Sequence, residues 1–240
     1  MTKFLIINNK YKIAYKYFKR RKKIIIFLHG LMSDMNGKKS NFLRNYCYKN
    51  DLSFLSFDFR GHGKSSGKIY EFGVEDWLND LSNIINFLNL KNITLIGSSL
   101  GGWVAMSYAL SNPSKIKKLI GLAPAPDFTE RLIWNNFSDL KKKSISSGKI
   151  IEEKISKDFS YFYSKQLFER SKKKIIKKSK KKYKGETIIF NGFKDKSVPF
   201  KYNNNLLETH HFENLTSVIL KNADHSLSDQ NSLKTILKFI

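Results

Sequence analysis

The feature that most constrains this chain is a repeated alternation of short apolar runs with segments of helical period. The runs Ile24 to Leu28, Leu52 to Phe59, Ile93 to Ile96, Leu119 to Leu122, Thr187 to Phe190 and Ser217 to Leu220 are rich in β-branched residues. Being continuous rather than alternating, they suit strands buried on both faces. Between them lie helical patterns over Phe42 to Tyr48, Val74 to Leu88, Trp103 to Leu110, Tyr202 to His210 and Leu233 to Ile240. Strand, helix, strand in this rhythm predicts βαβ crossovers and an α/β fold with a mostly parallel sheet. At the start, Phe4, Ile6, Tyr11, Ile13, Tyr15 and Tyr17 alternate with period two around Asn8-Asn9-Lys10, predicting an antiparallel hairpin that leads into the sheet and leaves no residues for a removable leader.

One interval breaks the rhythm. About sixty residues separate the run ending near Ala123 from the one starting near Thr187, more than a crossover needs. Phe128, Leu132, Ile133, Phe137 and Leu140 recur at three- and four-residue steps, as do Ile151, Ile155, Phe159 and Phe162, and a lysine tract from Lys172 to Lys184 closes the stretch. These spacings predict a helical cap inserted at about 127–184 into a single domain spanning 1–240.

The segment with the most chemical content is Gly97-Ser98-Ser99-Leu100-Gly101-Gly102, at the junction of the Ile93 strand and the Trp103 helix. G-x-S-x-G in that context is a strained strand-to-helix turn that lifts the central hydroxyl, here Ser99, above the sheet edge. The same turn opens a helix, so the Leu100 N–H faces the space where an oxyanion would form. A second donor is expected from the loop after the first buried strand, His29-Gly30-Leu31, through the Leu31 N–H. A serine hydroxyl is a poor nucleophile without a base, and the base needs an orienting acid. Of the five histidines, His225 alone lies on a loop beyond the final strand, where a Ser, Asp, His order puts the base. Asp195, in the loop after the penultimate strand, is the first candidate for the acid; Asp127, one strand earlier, is its rival. Asp224 adjoins His225 and reads as a solvated turn residue, His29 as a loop support. Asp58 to Ser65 is glycine-rich but lacks the ending of a phosphate loop, and reads as a structural turn.

With these pieces assembled, the chain resembles the serine α/β-hydrolases over nearly its whole length. The likeness lies in the His29-Gly30 loop, the Arg60-Gly61-His62-Gly63 turn, the Ser99 elbow, the Gly192 to Pro199 segment and the Asp224-His225 ending. Leu31 to Lys38, Gly97 to Trp103 and Ala125 to Thr129 are similar to the mitochondrial palmitoyl-protein thioesterase and acyl-glucuronide esterase branch and its bacterial relatives. That resemblance implies an α/β-hydrolase fold and hydrolysis of acyl thioesters or esters, on small-molecule or acylated-protein substrates, with no metal and no organic cofactor. Two features depart from the branch: Asn191, where many relatives have histidine, and the lysine-rich cap. Carboxylesterase and aminopeptidase-like amidase activities need the same triad. The cap aromatics Phe128, Trp134, Phe137, Phe159 and Phe162 are candidates either for a fatty-acyl pocket or for plain packing on the sheet.

Charge enters last. With 44 Lys+Arg against 20 Asp+Glu the formal net charge is +24, which points toward nucleic acid or an anionic membrane surface. Only six of the cations are arginine, and neither a zinc-finger spacing nor an aromatic RNA-recognition motif is present, so specific nucleic-acid reading is not expected. A weak electrostatic contact with anionic membrane remains open, and the contrasting class is a non-catalytic basic protein that binds RNA or anionic lipid. A single cysteine, Cys47, excludes an internal disulfide, and no run approaches the ~18 apolar residues of a membrane span, so the expected address is the cytoplasm.

Overall fold

The computed structural model describes residues 1–156 and 159–240. Its first strands, β1 (Lys3–Ile7) and β2 (Tyr11–Phe18), pair antiparallel around Asn8 and Asn9, both at positive φ, with the Lys10 N–H donating to the Ile7 carbonyl. Two consecutive left-handed residues make the tight turn whose twist matches a hairpin, and asparagine tolerates that conformation. The chain continues through β3 (Ile24–Leu28), α1 (Lys38–Lys49), β4 (Ser53–Phe57), α2 (Val74–Phe87), β5 (Ile93–Ser98), α3 (Leu100–Ser111) and β6 (Ile116–Leu122). Eight strands form one sheet in the order β1-β2-β4-β3-β5-β6-β9-β10, where β9 is Tyr183–Gly192 and β10 is Phe212–Leu220. Among the described residues of this sheet, the pairs β1-β2 and β2-β4 are antiparallel and the others parallel.

The apolar runs are continuous because both faces of the sheet are covered. Ile26 and Leu28 of β3, Leu55 and Phe57 of β4, Leu95 and Leu119 belong to one core with Trp77 and Leu81 of α2 and Trp103 and Val104 of α3. Their chain neighbours Ile25, Phe27, Phe54, Ile96 and Ile120 belong to a second core with Leu43 and Cys47 of α1. The second core also takes Ile236 of the last helix, α7 (Gln230–Leu237). Alternation by twos along each strand thus sends successive side chains to opposite helical layers.

The stretch expected as a purely helical cap differs from that expectation. It holds a π-helical turn at Thr129–Ile133, α4 (Asp139–Ser146), a hairpin of β7 (Ile151–Ser156) with β8 (Phe159–Tyr163), and α5 (Lys165–Lys172). Ile151, Ile155 and Phe159 recur every four residues, a spacing that shares one face of a strand as well as one face of a helix, so the pattern could not separate the two periods. The expected helix Tyr202 to His210 is also shorter. The helix α6 spans Phe200–Asn204, and the chain leaves it through a run of three asparagines into successive turns, as poor helix formers with competing side-chain amides favour.

Candidate active site

Parallel strands end together, and the loops that follow their C-terminal ends share one edge of the sheet. Register fixes that alignment here: Leu28 pairs with Gly97, Gly97 with Gly121, Leu122 with Phe190, and Gly192 with Leu220. The loops carrying Gly30 and Leu31, Ser99, Asp195 and His225 all leave that edge.

Ser99 sits at the turn between β5 and α3 with φ 52° and ψ −116°, a conformation costly for any side chain and typical of functional positions. The turn closes because its flanking residues have no side chains. A Cβ on Gly97 would strike the Gly101 carbonyl, and one on Gly101 would lie 2.5 Å from the carbonyl oxygens of both Leu28 and His29. The Ser99 hydroxyl lies 3.1 Å from His225 Nε2, and His225 Nδ1 lies 2.7 Å from Asp195 Oδ2. The other Asp195 oxygen accepts the amides of Ser197 at 2.9 Å and Val198 at 2.8 Å. Four lone-pair positions on a buried carboxylate are thereby largely occupied, and its orientation toward the imidazole is fixed.

The rival acid is spent elsewhere. Asp127 is buried and accepts the Ile176 N–H at 2.7 Å with one oxygen and the Lys177 N–H at 3.1 Å with the other. Burial raises its pKa, against those bonds. It anchors the end of the inserted segment to the sheet. Asp224 accepts the Ser226 amide and hydroxyl in a local turn, which holds its carboxyl below the usual range.

His29 donates from Nδ1 to the Gly30 carbonyl at 2.8 Å and accepts the Phe59 N–H at Nε2, so it is neutral and bridges two loops. Burial lowers its pKa. His62, 5.0 Å away ring to ring, is pushed down to about 3, chiefly by burial, with the second imidazole of His29 beside it making a further positive charge harder to place. Asp58 accepts the amides of Met35 and Lys64, confirming the Asp58 to Ser65 stretch as a structural turn.

A Cβ built on Gly30 would lie 3.4 Å from Ser99 Cβ, so the backbone entering Leu31 runs against the serine. Among the described residues, the amides of Leu31 and Leu100 have no protein acceptor; that of Leu100 heads a helix, where the first N–H groups lack intrahelical partners.

A cleft of about 440 Å³ opens over Ser99 and His225. Its apolar lining includes Phe128, Leu132, Ile133, Tyr161, Tyr163 and Val198. Its polar lining includes Ser33, Asp34, Lys38, Lys39, Ser226 and Ser228. Of the five cap aromatics singled out from sequence, Phe128 lines the cleft. Trp134 and Phe137 pack on Phe168, and Phe162 packs on Tyr70; the Phe159 side chain lies outside the described residues. Sequence reasoning missed Tyr161 and Tyr163, whose strand alternation was masked by the four-residue spacing around them. It also missed Lys39, whose ammonium donates to the Ser226 carbonyl and lies 3.5 Å from the Ser228 hydroxyl. Burial lowers the Lys39 pKa to about 8, with Asp224 opposing.

Asn191, which departs from the related pattern, is buried and hydrogen-bonded to Ser217 and to Asn203, tying β9 to β10 and α6. Among the described residues no helix is long and apolar enough to cross a membrane.

Comparison with known proteins bears on the fold and the family. A family model described as the alpha/beta hydrolase fold matches residues 23–149. The rat mitochondrial palmitoyl-protein thioesterase ABHD10 is 26% identical over 226 residues, covering 94% of this chain and 76% of the relative. A Bacillus subtilis AB hydrolase superfamily protein, YisY, is 28% identical over 206 residues, 74% of this chain and 76% of its own. Among solved structures, a putative hydrolase from Agrobacterium vitis superposes with a TM-score of 0.90 at 21% identity, covering 100% of this chain and 96% of that one. Mouse alpha/beta hydrolase domain-containing protein 10 does so with a TM-score of 0.87 at 24% identity and the same coverage. Both structural likenesses speak to the fold.

Proposed function

This chain belongs to the alpha/beta hydrolase fold family and is a hydrolase, and on that premise we propose that it cleaves acyl thioesters or carboxylic esters through a Ser99–His225–Asp195 triad. The observation that carries the reading is the pair of contacts through one imidazole, 3.1 Å to the Ser99 hydroxyl and 2.7 Å to the Asp195 carboxylate.

Chemistry follows from that geometry. Ser99 Oγ attacks the acyl carbonyl while His225 Nε2 takes its proton, and Asp195 holds the Nδ1–H tautomer and offsets the charge that forms on the ring. The carbonyl oxygen becomes an oxyanion between the amides of Leu31 and Leu100. Collapse expels the thiolate or alkoxide, which takes the proton back from Nε2, and leaves an acyl-enzyme. Water, deprotonated by the same imidazole, then attacks the acyl carbonyl and frees the carboxylic acid and Ser99. The apolar lining of Phe128, Leu132, Ile133, Tyr161 and Tyr163 suits the hydrocarbon of the acyl group. The 26% identity to a named palmitoyl-protein thioesterase supports the thioester in this reading. A cytoplasmic address is proposed on the strength of Cys47, which is free and buried.

The test is labelling of the purified protein with a fluorophosphonate, wild type beside Ser99→Ala, followed by thiol release from a palmitoyl thioester and nitrophenol release from short- and long-chain esters. Labelling of the wild type alone, with turnover of at least one acyl substrate, is the expected result. A folded wild-type protein that neither labels nor turns over sinks the reading.

A further inference from the structure

The active-site cleft does not stop at its polar lining. A second groove, of about 420 Å³, shares Ser33, Asp34 and Gly37 with it and runs on between the loop before α1 and the turn after β4, past Gly61, Gly63 and Ile69. Besides Ser33, Asp34 and the glycines it is lined by the polar His62 and the apolar Met32 and Ile69, a mixed and glycine-rich surface that suits an extended polypeptide better than a second hydrocarbon chain. Cations lie near the side it shares with the cleft. Lys38 and Lys39 line the cleft, Lys64 is the chain neighbour of the groove residue Gly63, and Lys16 reaches the loop through a hydrogen bond to the Asn36 side chain. Arg44, one and a half turns along α1, adds a fifth.

These cations crowd one another. The Lys16 pKa is lowered first by burial and then by repulsion from Arg44 and Lys64, with Asp58 and Asp34 opposing. Among the described residues, none of the five forms an ion pair with a carboxylate, whereas Lys118, Lys141, Lys165, Lys173 and Lys174 elsewhere all do. The nearby acids are engaged: Asp58 is buried on the amides of Met35 and Lys64, and Asp34 accepts the Asn36 N–H. Five cations outnumber the nearby Asp34, Asp58 and Asp224 carboxylates, and the positive excess is complementary to a negative partner.

We infer that this groove docks an acidic segment of an acylated protein, so that the leaving group of the proposed reaction is a side chain carried on an acidic polypeptide. The inference rests on the proposed hydrolysis at Ser99. The acyl chain then takes the apolar lining of the cleft and the polypeptide the polar lining and the groove, with the scissile carbonyl at Ser99.

The experiment uses the full chain and a set of S-octanoyl-cysteine peptides with acidic, neutral or basic flanks, beside a small octanoyl thioester of N-acetylcysteamine and one of a thiol bearing a single carboxylate. At low salt, kcat/KM for the acidic peptide should exceed that for the neutral one by roughly tenfold, and the ratio should fall toward one at ~0.3 M salt. Lys38→Gln with Lys64→Gln should bring the acidic-to-neutral ratio close to one. Lys180→Gln with Lys182→Gln removes the same charge before the N-terminal end of β9, away from the strand C-termini that carry the site, and should keep the ratio. A wild-type ratio near one, while the small thioester turns over and Ser99 labels, overturns the docking inference and leaves the hydrolase reading intact. Equal loss in the distal pair would assign the effect to net charge alone, and an equal preference for the single-carboxylate thiol would assign it to small anions; either result overturns the inference. Failure of the small thioester together with absent labelling removes the premise and both readings with it.

Discussion

Asp195 turns one carboxylate oxygen to His225 Nδ1 at 2.7 Å and the other to the amides of Ser197 and Val198, so the acid is held by its own loop independently of the histidine. Replacing it by asparagine should keep the fold but present a donor or a weaker acceptor to Nδ1, favouring the wrong imidazole tautomer. By analogy with the serine-protease case, kcat should drop by about 10⁴ with little change in KM. Steady-state kinetics on the best ester, with a circular-dichroism melt as control, decides this; a loss below about tenfold would remove Asp195 from its assigned role.

Asp127 should behave in the opposite way. Asp127→Ala strands the buried amide of Ile176, at about 1–3 kcal/mol, and leaves the partly buried amide of Lys177 to solvent, so the midpoint of denaturant unfolding should fall. Fluorophosphonate labelling of the folded fraction should persist. If labelling vanishes while the melt is unchanged, Asp127 and not Asp195 orients the base.

Gly101→Ala puts a methyl 2.5 Å from two main-chain carbonyl oxygens that belong to β3 and its loop. Backbone cannot yield as a side-chain tip does, so the Ser99 turn or the Gly30 loop must shift. The expected outcome is loss of labelling with destabilisation of at least ~1–3 kcal/mol. Retention of full labelling would show that the turn has slack the structure does not reveal.

His62 sets an acid limit. Its folded-state pKa of about 3 lies below the unfolded value near 6.5, so between those pH values the unfolded chain binds more protons than the fold. The stability it contributes is complete above about pH 6.5 and is lost progressively as pH falls toward 3, at up to ~1.4 kcal/mol per pH unit. His29, lowered by the same burial, adds to the slope. Urea unfolding from pH 7 to 4 should show this slope, and His62→Asn should flatten it. An unflattened slope would mean that other groups carry the acid sensitivity.

Much of this molecule is legible from sequence because its signals are local. Continuous β-branched runs mean strands buried on two faces, and G-x-S-x-G between strand and helix means a turn that only glycines at Gly97 and Gly101 permit. The chain order of Ser99, Asp195 and His225 follows from which strands they succeed. These depend on covalent neighbours and on period, which a sequence states directly.

What needed the tertiary structure depends on contacts between distant segments. Asp127 and Asp195 each follow a strand and look alike in sequence; only the fold shows that Ile176 and Lys177 occupy one while His225 meets the other. The β7–β8 hairpin was hidden because four-residue spacing satisfies both helical and strand periods, so packing decided between them. Lys39 reaching Ser226, 187 residues away, and Lys16 coming within electrostatic reach of Arg44 and Lys64 leave no local trace. Sequence fixes the faces of each element, while side-chain partners across the sheet edge are set by how those faces pack, and the chemistry of the cleft is made of such partners.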